Sequence, residues 1–275
     1  MATAHASAQF GKRLRWWRER RGLSQLDLAL AAETSQRHLS FLESGRTGPS
    51  RDMVLRLAAT LDVPLRQQNA LMLAAGYAPA WRESDLGAPE LGKVNQALDH
   101  MLAQQEPYPA FVVDRRWNLL RANGGAGHLV AFLADPPAVD APPPAGPVNL
   151  AHQLVQPSGL RPYIVNWDEV ALHFIRGVQA DALADGTAET AELLRQLLAV
   201  PGVPTPSQGA MDEPPAPVLV VHFRKNGTSL RMFTTIATLG TPHDVTLQEI
   251  RIECFFPADD TTQGLFQSWA AAARN

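Results

Sequence analysis

The feature that most constrains this chain is a short amphipathic stretch from Ser35 to Gly45, Ser-Gln-Arg-His-Leu-Ser-Phe-Leu-Glu-Ser-Gly. Ser35 can cap a helix by accepting a hydrogen bond from a backbone N–H two or three residues later, and Gly45 supplies the left-handed residue that ends one. Leu39 and Leu42 then share a buried face. The sequence therefore predicts a short, capped helix whose other face is polar and exposed.

Four further helical patterns surround this stretch within residues 1–82. One carries Phe10, Leu14 and Trp17 on a single face, a second spans roughly residues 25–32, and two more begin after Ser50 and at Pro64. The second and third helices are separated only by Glu33-Thr34. Five short helices with such a tight break are the arrangement of a helix-turn-helix domain, whose second helix of the pair enters the major groove of DNA.

The charge of the chain is divided unevenly. Residues 1–82 hold 12 of the 24 lysines and arginines and 6 of the 27 acidic residues, which gives a net charge of +6. The remainder has a net charge of −9, and the whole chain has −3. A basic first part joined to an acidic second part favours a head that binds a polyanion and a separate body.

The head resembles the Xre-type, lambda-repressor-like family of regulators. The resemblance rests on Gly22-Leu23-Ser24-Gln25 with Leu28-Ala29, on Ser35, Leu39-Ser40, Leu42-Glu43 and Gly45-Arg46, and on Pro49-Ser50. Glu33 stands where the family usually has a small residue, often Gly, and Thr34 where it has an aliphatic one.

The resemblance implies a set of DNA-binding residues, which are Gln25, Ser35, Gln36, Arg37, Ser40, Phe41 and Arg46. Gln36, Arg37 and Phe41 are expected to read bases, and Gln25, Ser40 and Arg46 to contact phosphates. Arginine pairs with guanine and glutamine with adenine through two hydrogen bonds each. Phe41 has no hydrogen-bonding group, so it would pack on a thymine methyl or belong partly to the core.

The second part of the chain predicts an α+β domain. Strand-like runs cover residues 110–114 and 117–121 about a tight Asp114-Arg115-Arg116 turn, and helices are predicted for 91–102, 123–133, 167–184 and 187–198. Three more strands are predicted for 218–223, 229–236 and 246–255, the first two joined by the hairpin turn Lys225-Asn226-Gly227-Thr228. Proline-rich loops are predicted at 136–147 and 201–217. An antiparallel sheet with helices on one face accounts for this order.

This second part resembles the MmyB-like regulators, which join an Xre-type head to a PAS-like ligand-binding domain. The resemblance follows, in order, Glu106-Pro107-Tyr108-Pro109-Ala110, Val113 to Asn118, Asn123, Gly159-Leu160-Arg161, Asn166-Trp167, Gly240-Thr241-Pro242 with Asp244 to Leu247, and Ile252-Glu253 with Phe255 to Asp259. It implies an apolar pocket over the sheet and a fatty-acyl-like ligand. The predicted limits are 1–82 for the DNA-binding domain, 83–92 for a linker and 93–275 for the ligand-binding domain.

Two groups of residues are candidates for such a pocket. Bulky apolar candidates are Phe111, Val113, Leu119, Ile164, Trp167, Phe174, Met232 and Phe233, which would equally well fill a core. Polar candidates are Arg161, Asn166, Thr241 and Asp244. Arg161 either pairs with a carboxylate or anionic head group of a ligand, or forms an ion pair with Asp168 or Glu169.

Several other functions find little support in the sequence. Gly125-Ala126-Gly127 is a poor match to a dinucleotide-binding loop, because Val130 replaces the third small residue. The eight histidines lack the spacing of metal ligands, and there is no nucleophile elbow, so neither a metal, a cofactor nor an enzymatic activity is expected. Cys254, the single cysteine, is expected to be a buried, inert thiol.

The chain also lacks an apolar run long enough to cross a bilayer, so no membrane partner is expected, and its single cysteine, which excludes an internal disulfide, fits a cytoplasmic protein. The interpretation favoured by the sequence is a transcriptional regulator that binds double-stranded DNA as a homodimer and senses a small apolar molecule, such as a fatty acid. Two alternatives stay open. The second domain catalyses chemistry on its ligand, or it serves only for dimerisation.

Overall fold

The computed structural model describes residues 2–134, 146–205 and 218–273. These residues divide into two compact units, one of residues 1–84 together with 241–248, and one of residues 85–240 together with 249–275. The predicted proline-rich loops fall mostly outside the described residues. Among the described helices, none combines the length and the apolar character needed to cross a bilayer.

The first unit is built on five helices, as the sequence predicts. They are α1 (Ala2–Arg20), α2 (Gln25–Ala31), α3 (Gln36–Glu43), α4 (Arg51–Thr60) and α5 (Leu65–Ala74). Hydroxyls of Ser24, Ser35 and Ser50 cap α2, α3 and α4 by accepting a backbone N–H of the first turn. The predicted inward faces meet in one apolar core, which holds Phe10, Leu14, Trp17, Leu28, Leu39, Leu42, Leu57 and Leu61.

Residues 241–248 pack with this unit, although they follow it in the chain by more than 150 residues. The buried Asp244 carboxylate accepts hydrogen bonds from the backbone N–H groups of Ser84 (3.1 Å) and Thr246 (2.9 Å). Gln248 Oε1 accepts one from Leu65 N at 2.7 Å. Because Pro64 gives α5 no side-chain cap, Gln248 supplies the cap from a distant part of the chain.

The second unit contains the predicted antiparallel sheet. Its strands are β1 (Ala110–Val113), β2 (Leu119–Ala122), β3 (Val220–Lys225), β4 (Thr228–Ala237) and β5 (Arg251–Pro257), in the order β2-β1-β5-β4-β3. Its helices are α6 (Gly92–Gln104), α7 (Gly124–Leu133), α8 (Leu150–Val155), α9 (Trp167–Asp185), α10 (Ala188–Leu198) and α12 (Asp260–Ala272), while α11 (Val245–Glu249) lies at the boundary of the units. The order is compatible with a PAS-like arrangement.

The hairpin between β3 and β4 forms where Asn226-Gly227 predicts it. Both turn residues have positive φ, +49° and +80°, as this type of turn requires. The turn between β1 and β2 differs from the prediction, because Trp117 adopts a left-handed φ of +66° and β2 begins only at Leu119. Asp114 holds this turn by accepting hydrogen bonds from Arg116 N and Asn118 N.

Two further predictions about the second unit are wrong. The predicted strand 246–255 is the helix α11 followed by β5. The Asp244 carboxylate turns the backbone here, because it binds the N–H groups of Thr246 and Leu247. The second wrong prediction is that helices cover only one face of the sheet. Arg121 of β2 points to the face opposite Phe111 and donates to Asn95 and Asp99 of α6, so helices pack on both faces.

The turn between α2 and α3 leads to a first prediction. Glu33 has a φ of +51°, which costs a residue with a Cβ about 1 kcal/mol or more. We expect Glu33→Gly to stabilise the first unit by about 0.5–1 kcal/mol, since glycine removes the strain but adds entropy to the unfolded chain. Calorimetric unfolding of the full chain measures this. Ala59→Gly, at an exposed position within α4, should destabilise by a similar amount, and an equal loss in both variants would contradict the expectation.

Candidate functional site

The first candidate site is the exposed face of α3. Ser35 Oγ accepts a hydrogen bond from His38 N at 3.1 Å, and Gly45 has a φ of +70°, so both ends of the helix form as predicted. Leu39 and Leu42 are fully buried. Gln36 and Arg37 are exposed on the first turn and Ser40 is half-buried. This face presents a short row of hydrogen-bonding groups from a rigid scaffold.

Phe41 lies between two arginines on this face. Its half-buried ring has the Arg37 guanidinium 5.4 Å from its centroid on α3 and the Arg46 guanidinium at 5.6 Å from the following turn. Cations at these distances are attracted to an aromatic ring. Phe41 thus gathers two positive charges beside the polar face of α3.

Gln25, predicted to contact phosphate, has a protein partner in the structure. Its Nε2 donates to Glu43 Oε2 at 2.8 Å, at the start of α2. Glu43 also accepts from Arg18 Nε at 2.6 Å, Arg18 Nη2 at 3.1 Å and Arg15 Nε at 3.4 Å. One carboxylate therefore ties α1 and α2 to the end of α3.

Glu43 is only 4% exposed. Burial raises its pKa, but hydrogen bonds from Arg18 and Gln25 and the positive charge of Arg18 outweigh that effect and lower the pKa below its ordinary value. The carboxyl is therefore ionised and paired. The sequence analysis did not predict this network. The sequence shows Glu43 at the end of an amphipathic helix and many arginines in α1, but no pattern in it indicates that they form ion pairs with each other.

A second prediction follows from this pair. Glu43→Gln should destabilise the first unit by about 3 kcal/mol, because it leaves the Arg18 charge without its buried partner. Hydrogen exchange of the α2 and α3 amides in the full chain, read by mass spectrometry, measures the loss. The ionised carboxylate stabilises above the unfolded pKa of about 4.5 and ceases to do so as pH falls through the lower folded value, so the difference from wild type should shrink below that pH.

Glu19→Gln is the matched control. Glu19 also approaches Arg18, at 3.5 Å, but its side chain is 61% exposed, so its removal should cost less than about 1 kcal/mol. Equal effects of the two substitutions would show that Glu43 is no more than a surface partner of Arg18.

The second candidate site is a cavity of about 850 Å³ in the second unit. It lies between one face of the sheet and helices α7, α8 and α9. Its apolar lining includes Phe111 of β1, Leu119 of β2, Val221 and Phe223 of β3, Ile236 of β4, Phe255 of β5, and Leu129, Leu133, Leu150, Leu154, Val170 and Phe174 of the helices. The size and lining are those of sites that bind small apolar molecules.

A few polar groups interrupt this lining. Arg251 and Glu253 project from β5, Thr234 from β4, and His173 and Asp181 from α9. Arg251 Nη1 donates to Asp181 Oδ2 at 2.5 Å. Burial raises the pKa of Glu253 to about 7, and a hydrogen bond with Thr234 opposes the rise only in part. Arg251 and Glu253 alternate with the apolar Ile250 and Ile252 in the sequence, a pattern typical of a strand with one face in water, but both line the cavity.

Three of the predicted pocket residues, Phe111, Leu119 and Phe174, line the cavity. The other apolar candidates do not line it. Val113, Ile164 and Met232 are buried in the core, Trp167 packs beside it, and the half-buried Phe233 stacks on Phe256.

The four polar candidates also lie elsewhere. Asn166 pairs with the backbone of β3, donating to Val220 O and accepting from His222 N. Arg161 donates to Pro201 O at 2.6 Å, and its guanidinium lies 4.7 Å from the centroid of the Trp167 ring. Its described contacts match neither predicted role. Thr241 and Asp244 belong to the first unit.

The glycines at the start of α7 have a structural explanation. The Glu106 carboxylate accepts hydrogen bonds from Gly124 N (2.6 Å) and Gly125 N (3.1 Å), and Asn123 accepts from Ala126 N. A Cβ at Gly125 would lie 2.4 Å from Pro107 O. The N–H groups that would face a nucleotide phosphate are therefore occupied by protein carboxylate and amide.

The described residues offer no group of three or more His, Cys, Asp or Glu side chains able to hold a metal ion. Cys254 is half-buried, and burial together with the charge of Glu253 raises the pKa of its thiol. It is thus kept as a thiol rather than a reactive thiolate.

A capped helix beside clustered cations and an apolar cavity in a second unit define the class of a helix-turn-helix regulator with a ligand-binding domain. Residues 94–268 match the family model for the MmyB-like transcription regulator ligand binding domain, and residues 14–68 match a helix-turn-helix model. The chain therefore belongs to the MmyB-like transcription regulators.

Two solved structures are similar to part of the chain. One is the restriction-modification controller protein C.AhdI from Aeromonas hydrophila, which is 34% identical over 22% of this chain and 94% of its own, with a TM-score of 0.22. The other is the clp gene regulator ClgR from Corynebacterium glutamicum, which is 22% identical over 37% of this chain and 95% of its own, with a TM-score of 0.23. No curated protein matches the chain.

Proposed function

We propose that this regulator binds double-stranded DNA through α3 as a homodimer, and that a small apolar, fatty-acyl-like effector in the second-unit cavity controls that binding. The observation that carries the proposal is the combination of an exposed α3 face beside Arg37 and Arg46 with a large apolar cavity on the same chain.

The DNA contacts follow from the chemistry of the exposed groups. Arg37 and Gln36 reach base edges from the first turn of α3, and Phe41 offers its ring edge to a thymine methyl. Ser40 and Arg46 bind phosphate, with Ser35 at the helix start. Gln25 reaches phosphate only through the N–H of its amide that Glu43 does not take. Two copies of α3 about 34 Å apart would then read a roughly palindromic site.

A selection from genomic fragments followed by binding of the enriched site tests this function. Arg37→Ala should weaken binding by about 1–3 kcal/mol and relax the choice of base at one position of each half-site. Arg224→Ala, an exposed arginine of the second unit, changes the charge equally and should leave binding and its salt dependence unchanged. Wild-type protein that prefers no fragment over random duplex at any salt concentration would overturn the DNA-binding function.

The effector part of the proposal rests on the size and lining of the cavity. Its walls combine apolar side chains from five strands and three helices with a small set of polar groups, as expected of a site that orients an amphiphile. Cytoplasmic localisation is part of the same proposal, since the regulator must meet both DNA and a metabolite.

A cavity-filling substitution tests the effector site. Gly177 lines the cavity, and a Cβ there meets nothing within 4 Å, so the Cβ of Gly177→Leu is accommodated without a clash. We expect it to reduce the affinity for a fatty acid probe at least about tenfold, or 1.4 kcal/mol, while thermal stability is kept because leucine favours helices.

Gly127→Leu is the matched control, because Gly127 is an exposed glycine of α7 whose Cβ is equally free and which does not line the cavity. Its ligand affinity should equal that of wild type. Unchanged affinity in both variants would place the ligand elsewhere.

The two alternative functions can be distinguished from sensing with the same protein variants and the same probe. If the second unit is an enzyme, native mass spectrometry of protein incubated with the probe should show a product, whereas a sensor retains the probe unaltered. If the unit serves only for dimerisation, no bound molecule should be found and filling the cavity should have no effect on DNA binding.

A further inference from the structure

The charged groups of the cavity lie on one strand, β5, and on one helix, α9. Arg251 and Glu253 are two residues apart on β5, so their side chains project from the same face of the sheet. Phe111 and Ile236 flank Glu253 in the strand register. Asp181 lines the same cavity from α9 and is in direct contact with Arg251. Among the described residues, no other Asp, Glu, Lys or Arg side chain lines the cavity.

The two charged side chains of β5 differ in their partners. Arg251 donates one side-chain hydrogen bond, to Asp181, and a guanidinium has five N–H donors. Glu253 has Thr234 as a hydrogen-bond partner and, among the described residues, no basic group paired with it. A carboxyl flanked on the sheet by Phe111, Ile236 and Phe255 favours its protonated form, in which it can donate a hydrogen bond.

The cavity therefore presents donors from two neighbouring side chains in an apolar setting. A carboxylate has two oxygens and accepts from both at once. A hydroxyl would satisfy fewer of the donors, and a cationic head group would be repelled by Arg251. A carboxylate next to an ionised Glu253 would face a like charge, so the pair is stable only when it shares a proton.

Building on the proposed function, we propose that Arg251 and Glu253 hold the head group of the effector as a carboxylate, with Arg251 donating from its free N–H groups and Glu253 donating as a protonated acid. Binding then takes up one proton whenever Glu253 is ionised beforehand. The other titratable groups of the lining are Tyr163, His173 and Asp181. Asp181 is already compensated by Arg251.

The sign of the pH effect follows from the raised pKa of Glu253, which is about 7 in the free protein. Below that pH the donor form is present and a carboxylate binds at full strength. Above it, binding must first protonate Glu253, so affinity falls by up to about tenfold for each further pH unit.

Isothermal titration of the delipidated full chain tests this, with dodecanoate and dodecanol as probes at about pH 6 and about pH 8.5. For wild type we expect dodecanoate affinity to fall about thirtyfold between these values. Proton uptake should appear as a binding enthalpy that differs between buffers with unequal heats of ionisation. Dodecanol should bind more weakly at the lower pH and change little. Glu253→Gln keeps a donor without a titrating charge, so its dodecanoate affinity should vary less than about twofold.

The outcomes separate this inference from the function on which it rests. Glu253→Gln with the pH dependence of wild type, dodecanol bound as tightly as dodecanoate at the lower pH, or no proton uptake would each overturn the head-group assignment while the effector site stands. Binding of neither probe at any pH would overturn both. Retained dodecanol binding by Glu253→Gln shows that the variant is folded.

Discussion

The buried pair of Glu43 and Arg18 is the interaction on which the proposed DNA-binding face of α3 depends. It joins the end of α3 to α1, and Gln25 adds α2 to the same carboxylate. A charge buried without its partner would cost several kcal/mol, so the pair admits one arrangement of the three helices. The orientation of the polar face of α3 is thus determined by residues that never reach it.

This has a bearing on how the basic charge of the head is used. Arg18 is buried, and Arg21 donates to the carbonyls of Leu61 and Asp62 at the end of α4. Arg18 is thus not available to phosphates and Arg21 is engaged with backbone carbonyls, whereas Arg37 and Arg46 lie exposed beside Phe41. A net charge of +6 therefore overstates the number of phosphate contacts that the head can make.

Local patterns predicted much of the fold, because caps and turns act over three or four residues. The serine caps of the head, the Asn226-Gly227 hairpin and the inward faces of the first helices are confirmed. What failed depends on distant partners. Asp244, which also binds Ser84 N, bends the backbone at Thr246, where the sequence predicts that a strand begins, and Asn166 pairs with the backbone of β3. The alternation of polar and apolar residues along β5 matches the two faces of this strand, yet no sequence pattern shows that the polar face lines an internal cavity rather than facing water.

The capping of α5 by Gln248 also bears on what can be cut from this protein. Residues 1–84 do not make up the whole first unit, because eight of its residues come from the stretch between β4 and β5. A fragment that ends after Ser84 would lose both the acceptor for Leu65 N and the buried Asp244 that accepts from Ser84 N. The two family models cover residues 14–68 and 94–268, whereas the compact first unit takes residues 241–248 from within the second of these ranges.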